Sequence, residues 1–142
     1  MPTETSDNRS GAAVRAARLA IHRTGADPST VDGGWWPRSP DAAEELPGLV
    51  RALEPRFGTV GSVTLNRAKW IGRPRRVTVG GRTVPLEWTV TLDPALAVVA
   101  VERGRLEILV VPPSCDRAVA EQVLGDVWRG TSLPPAEILA CC

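Results

Sequence analysis

Two apolar stretches, Leu96–Glu102 and Arg105–Val111, constrain this fold more than any other feature of the chain. Each has the length of a strand, and only Arg103-Gly104 separates them, which predicts a tight β-hairpin. That loop sets Glu102 opposite Arg105, Val101 opposite Leu106 and Val99 opposite Ile108. Leu96, Val98, Leu109 and Val111, on the other face, are apolar as well. Strands apolar on both faces need cover on both sides, so the pair belongs at the centre of a layered fold.

The flanking segments supply the layers. Ser39-Pro40-Asp41 reads as a helix start, with Ser39 as cap and Pro40 in the first turn. Leu46, Leu49, Val50 and Leu53 then form one apolar stripe. Pro47 interrupts it and predicts a kink or two short helices; Gly58 is a natural stop. Val63 and Leu65 share a strand face. Gly80-Gly81 predicts a hairpin with Thr78 opposite Thr83 and Val77 opposite Val84. Pro85 cannot donate to a ladder and points to an edge or a bulge. Trp88, Val90 and Leu92 alternate as in a half-buried strand. Pro112-Pro113 ends the central hairpin, and Ser114 is the expected cap of a last helix carrying Val119, Val123 and Val127 up to Gly130. A short strand is expected over Arg18–Arg23.

The expected class is therefore α+β, with an antiparallel, strongly bent sheet or half-barrel of about five to seven strands and two main helices. The 142 residues suit one domain. Residues 1–11 are polar and expected to be disordered, 12–130 form the domain, and 131–142 read as a loose tail.

Composition removes several chemistries. The chain has one histidine, His22, and no tyrosine, so His-His metal sites and tyrosine acid–base chemistry are unavailable. Three cysteines, Cys115, Cys141 and Cys142, form no even framework and argue against a disulfide scaffold. Cys115 lies near a helix start, yet only His22 could act as its base. Vicinal Cys141-Cys142 lacks the spacing of zinc ligands. No phosphate-binding glycine loop and no nucleophile elbow occur. No cofactor is expected. The first thirty residues lack the apolar run of a secretory signal, and Leu96–Val101 is too short to cross a membrane. The expectation is a soluble cytoplasmic protein with no membrane partner.

Charge is balanced in sum, at +1, but not in sequence. Residues 1–54 carry six cations and eight anions, and residues 87–142 carry four and eight. No acid lies between Glu54 and Glu87, where Arg56, Arg67, Lys69, Arg73, Arg75, Arg76 and Arg82 fall. Such a cluster either pairs with acidic helices in the fold or forms an anion-binding face.

Val31-Asp32-Gly33-Gly34-Trp35-Trp36-Pro37-Arg38-Ser39, followed by Asp41 and Glu45-Leu46-Pro47-Gly48-Leu49, resembles an actinobacterial family of small proteins of unknown function. Leu109-Val110-Val111-Pro112-Pro113 ahead of a helix matches it too. The resemblance spans residues 18–128 and implies a shared fold and a soluble bacterial protein. It implies no reaction and no functional residues.

Two stretches are candidate sites. In the first, Asp32, Trp35, Trp36 and Arg38 form a candidate ligand or partner loop. Adjacent tryptophans in an extended chain point to opposite sides, so one is expected in the core and the other partly exposed beside Arg38. The competing reading is structural throughout. In the second, Arg67, Lys69, Trp70, Arg73, Arg75 and Arg76 mix cations with an aromatic, as binders of single-stranded nucleic acid do. One tryptophan is a poor platform, so nucleic acid is the weaker partner here. The leading function is a non-enzymatic binding or protein-interaction module, alone or as a homo-oligomer. The alternative is a binder of anionic ligands or nucleic acid through residues 67–82. An enzyme of unknown class comes third.

Overall fold

The apolar hairpin lies inside the fold, paired on both edges. The structure, a computed structural model, describes residues 16–22 and 29–142. The expected disordered stretch 1–11 lies outside the described residues, as do Arg23 of the first strand and the first part of the loop that follows it. Seven strands form one sheet in the order β1 (Leu19–Ile21), β2 (Gly33–Trp35), β7 (Gly104–Val110), β6 (Leu96–Val101), β3 (Val60–Asn66), β5 (Arg82–Thr89) and β4 (Arg76–Val79). With two main helices, α1 (Ala42–Phe57) and α2 (Arg117–Arg129), the architecture is α+β.

The sheet is open and mixed, not antiparallel throughout. β2 runs parallel to β7, and β3 runs parallel to β5. Reading consecutive strands as neighbours makes every pair antiparallel, but both parallel pairs join strands that are not consecutive. β3 opposes β6 and β6 opposes β7, so β2, β3, β5 and β7 all point the same way.

The central hairpin closes two residues earlier in register than its sequence suggests. Val101 pairs with Gly104, Val99 with Leu106 and Ala97 with Ile108. Glu102 is thereby in the turn. Its carboxylate accepts from the Thr59 N–H at 2.9 Å instead of facing Arg105. A two-residue shift leaves every side chain on its face, so the buried set is unchanged. The β4–β5 hairpin has the expected register, Val77 opposite Val84 and Thr78 opposite Thr83, with positive φ at Gly80 and Gly81. Pro85 is not on an edge strand. It sits where β5 passes from pairing with β4 to pairing with β3, so its missing donor breaks neither ladder. β5 ends at Thr89, and Val90 is 72% exposed, so the alternation beyond Trp88 belongs to a turn.

One face of the hairpin is covered by α1; on the other, α2 covers only the β7 side, and Val98 and Ala100 of β6 line an open groove. On the first, Val63, Leu65, Val99, Leu106 and Ile108 pack with Leu46, Leu49, Val50 and Leu53 of α1. On the other, Leu109 and Val111 pack with Ala120, Val123 and Val127 of α2. α1 is one unbroken helix in spite of Pro47. The donor Pro47 lacks would serve the carbonyl of Ala43, an exposed residue whose carbonyl water can satisfy. Its cap is Asp41, not Ser39, and α2 is capped by Asp116, not Ser114. Ser39 instead bridges the Asp41 N–H and the Glu45 carboxylate.

The segment after Gly130 is not loose. Thr131 exchanges hydrogen bonds with the Ser29 hydroxyl and accepts from the Thr30 N–H, and the single turn α3 (Pro135–Ile138) buries Ile138 in the second core. Cys142 then forms a disulfide with Cys115. Counting cysteines could not anticipate that pair, because only the return of α3 brings the two together.

Candidate functional site

β2, β3 and β7 end on the same side of the sheet, and β6 begins there. The segments leaving those strands enclose an apolar cleft of about 330 Å³. Crevices beyond the carboxyl ends of parallel strands are common ligand sites in open sheets. Five segments line it. Pro37 and Pro40 follow β2, Lys69 and Trp70 follow β3, and Asp93, Pro94 and Ala95 precede β6. Val110, Pro112 and Pro113 close β7, and Ala136 and Leu139 come from the region of α3.

Backbone hydrogen bonds tie these walls together. The Ile71 N–H donates to the Pro40 carbonyl at 3.0 Å, Val111 N–H to Trp35 at 2.8 Å, and Val110 N–H to Ala95 at 2.7 Å. Prolines cannot rearrange their own φ, so a cleft walled by five of them is stiff. A preformed apolar site loses little ordering entropy when it is filled.

The double-tryptophan loop builds this cleft from behind. Trp35 and Trp36 do point to opposite faces, but both are buried, at 1% and 7% exposure. Each face of the sheet has its own helix, so neither direction leads to water. Trp35 stacks on Trp70, and the Trp36 indole N–H donates to the Pro112 carbonyl at 3.1 Å. Arg38 is not the cation beside Trp36. It is exposed and donates to the Ala16 carbonyl, while its N–H meets Glu45. Arg18 holds that place. Its guanidinium carbon stands 3.7 Å from the Trp36 ring centre, and its N–H groups donate to the Trp36 and Pro37 carbonyls. Burial, with Arg38 nearby, lowers the Arg18 pKa from its usual value. No local pattern marks Arg18, since its partners are distant in sequence.

Asp32 is a ladder clamp. Its N–H donates to the Glu107 carbonyl, its own carbonyl accepts from the His22 N–H, and its carboxylate accepts from the Glu107 N–H at 2.8 Å. Gly33 and Gly34 serve close packing rather than a turn. A Cβ on Gly33 would lie 2.9 Å from the Ala20 carbonyl oxygen, and one on Gly34 would lie 3.0 Å from Leu124.

The basic stretch divides. Trp70 is 5% exposed and stacked inside, so its ring face is not presented to solvent. Arg67 and Lys69 ride on a 3-10 turn, and Arg73 reaches back to the Arg67 carbonyl. These three, with Arg75 and Arg76, are exposed, and none has an ion-pair partner among the described residues. Arg82 alone of the run Arg67–Arg82 pairs, with Glu54. Among the described residues no cluster of His, Cys, Asp and Glu is placed to hold a metal ion, and no helix is long and apolar enough to cross a membrane.

The model of a family of unknown function, DUF5994, matches residues 18–127. The chain belongs to that family. The DUF5994 match takes in the double-tryptophan loop, the basic turn and the Val110–Pro113 wall, and ends before α3. No curated protein and no solved structure matches the chain.

Proposed function

We propose that this DUF5994 protein is a non-enzymatic binding module whose cleft takes a small amphiphile, an apolar body with an anionic end. The observation carrying this reading is the convergence of three segments on one apolar cleft: the proline after Trp36, Lys69-Trp70, and Pro112-Pro113. Its lining includes Lys69, on the same turn as Arg67, whose carbonyl accepts from Arg73, and no acid is paired to any of the three among the described residues. Asp93 also lines the cleft, but its carboxylate already accepts from the Ala95 N–H at 2.9 Å. An anionic group therefore fits the Lys69 end best. The lack of an apolar run in the first thirty residues and the resemblance of the double-tryptophan loop support reading the chain as a soluble, cytoplasmic protein of actinobacterial origin. A protein partner or a second copy could present such a group from a side chain.

Anilinonaphthalene sulfonate combines fused rings with one anion and is a suitable probe. Saturable one-to-one binding is expected. Ala136→Trp, which fills the cleft, should abolish it. Lys69→Gln should weaken it about two- to fivefold, in line with an exposed charge pair. Binding that ignores both substitutions would refute the proposal.

The unpaired cations also support a second reading, a polyanion bound along Arg67, Lys69, Arg73, Arg75 and Arg76. Counterion release would make that affinity fall steeply with salt. Absence of binding to single-stranded DNA at low salt removes this reading.

A further inference from the structure

We propose that the Cys115–Cys142 disulfide is a redox latch on the segment 132–142, and so on one wall of the cleft. Its effect on ligand rests on the cleft reading above; the latch itself does not. The segment is held at two points. At one end Thr131 is hydrogen-bonded to Ser29 and Thr30. At the other, Cys142 is bonded to Cys115, 27 residues away in sequence and 4.9 Å away between Cα atoms. Between these anchors lies α3, a single turn that buries only Ile138. A helix this short has no stability of its own. Ala136 and Leu139, on this stretch, face the cleft.

Cys115 is the fixed side. It is buried in the second core, its N–H donates to the Pro112 carbonyl at 3.0 Å, and it stands two residues after Pro113 of the proline wall. The disulfide thus ties the α3 wall to the proline wall. Cys142 and its neighbour Cys141, a free thiol, are exposed. A dithiol reductant can reach the Cys142 sulfur. Its thiolate attacks Sγ of Cys142, the disulfide bond breaks, and Cys115 leaves as a thiolate that takes up a proton. The reductant's second thiol then attacks the mixed disulfide, frees Cys142 as a thiol and departs as a cyclic disulfide. Two electrons and two protons pass to the protein. Disulfides in a reducing compartment are mostly transient or redox-sensing ones, which fits a bond at an exposed residue that closes a site.

The experiment uses the whole chain in four forms: oxidised, reduced with dithiothreitol, Cys142→Ser, and oxidised Cys141→Ser. Amide hydrogen exchange over 132–142 reads the latch, and anilinonaphthalene sulfonate affinity reads the cleft. Exchange at Ile138 and Leu139 should rise at least about tenfold in the reduced and Cys142→Ser forms and stay slow in Cys141→Ser. Probe affinity should fall severalfold in the same two forms. Equal exchange in all four forms overturns the latch. So does a Cys115 thiol that alkylates in protein never exposed to reductant. Faster exchange without probe binding in any form would uphold the latch and overturn the cleft reading alone.

Discussion

The indole of Trp35 stacks on that of Trp70 with ring centres 5.5 Å apart and planes 21° from parallel. The contact joins the double-tryptophan loop to the basic turn and backs the cleft. Trp35→Ala should cost about 3–5 kcal/mol. In a double-mutant cycle with Trp70→Ala, a coupling of about 0.5–1.5 kcal/mol is expected beyond the area lost. Urea unfolding of the four proteins measures it, and additive losses would show that the stack contributes nothing specific.

Trp36 should matter as much as Trp35, because both rings are buried. Trp36→Ala is expected to lose about 3–5 kcal/mol. Arg18→Ala should destabilise through the loss of its ring contact and two carbonyl bonds, whereas Arg38→Ala should change little. Thermal melts of Arg18→Ala and Arg38→Ala provide the check. The reverse order would mean that Arg38, not Arg18, holds the loop.

Ile108 is fully buried on β7, under α1. Ile108→Ala should cost about 2–5 kcal/mol, with a smaller marked loss for Val99→Ala. A loss under about half a kcal/mol at Ile108, by denaturant titration, would contradict a central β7.

Glu102 gives the fold a pH signature. Hydrogen bonds from Thr59, its backbone N–H first and its hydroxyl second, hold the Glu102 pKa below the ordinary value. A carboxyl with a lowered folded pKa adds stability above its unfolded pKa and loses it as pH falls through the folded one. Glu102→Gln should therefore lower the melting temperature at neutral pH. The difference from wild type should shrink as pH drops through and below the usual carboxylate range. A gap independent of pH would mean that the carboxylate charge plays no part.

Several features were legible because they are local. Alternation marked Val63, Leu65, Val99 and Ile108 as core, and the glycines of 80–81 announced a hairpin whose register is as expected. The stripe Leu46, Leu49, Val50, Leu53 is the buried face of α1. Other features depended on partners distant in sequence. Glu102 left the expected pairing for Thr59, and Ala95, Ala136 and Leu139 carried no signal of their own as cleft residues.

By itself, then, the sequence determined the α+β class, the central hairpin and the faces that Val63, Leu65, Val99 and Ile108 occupy. Side-chain alternation and turn conformation are properties of neighbouring residues, so they can be read along the chain. Only tertiary structure decided that β2 joins β7 and β3 joins β5 in parallel, and that both tryptophans are buried. It also decided that Cys142 reaches Cys115 and that Arg18 covers Trp36. Those outcomes depend on which distant segments share a layer, and cover on both faces of the sheet turned an outward-pointing ring into a core residue.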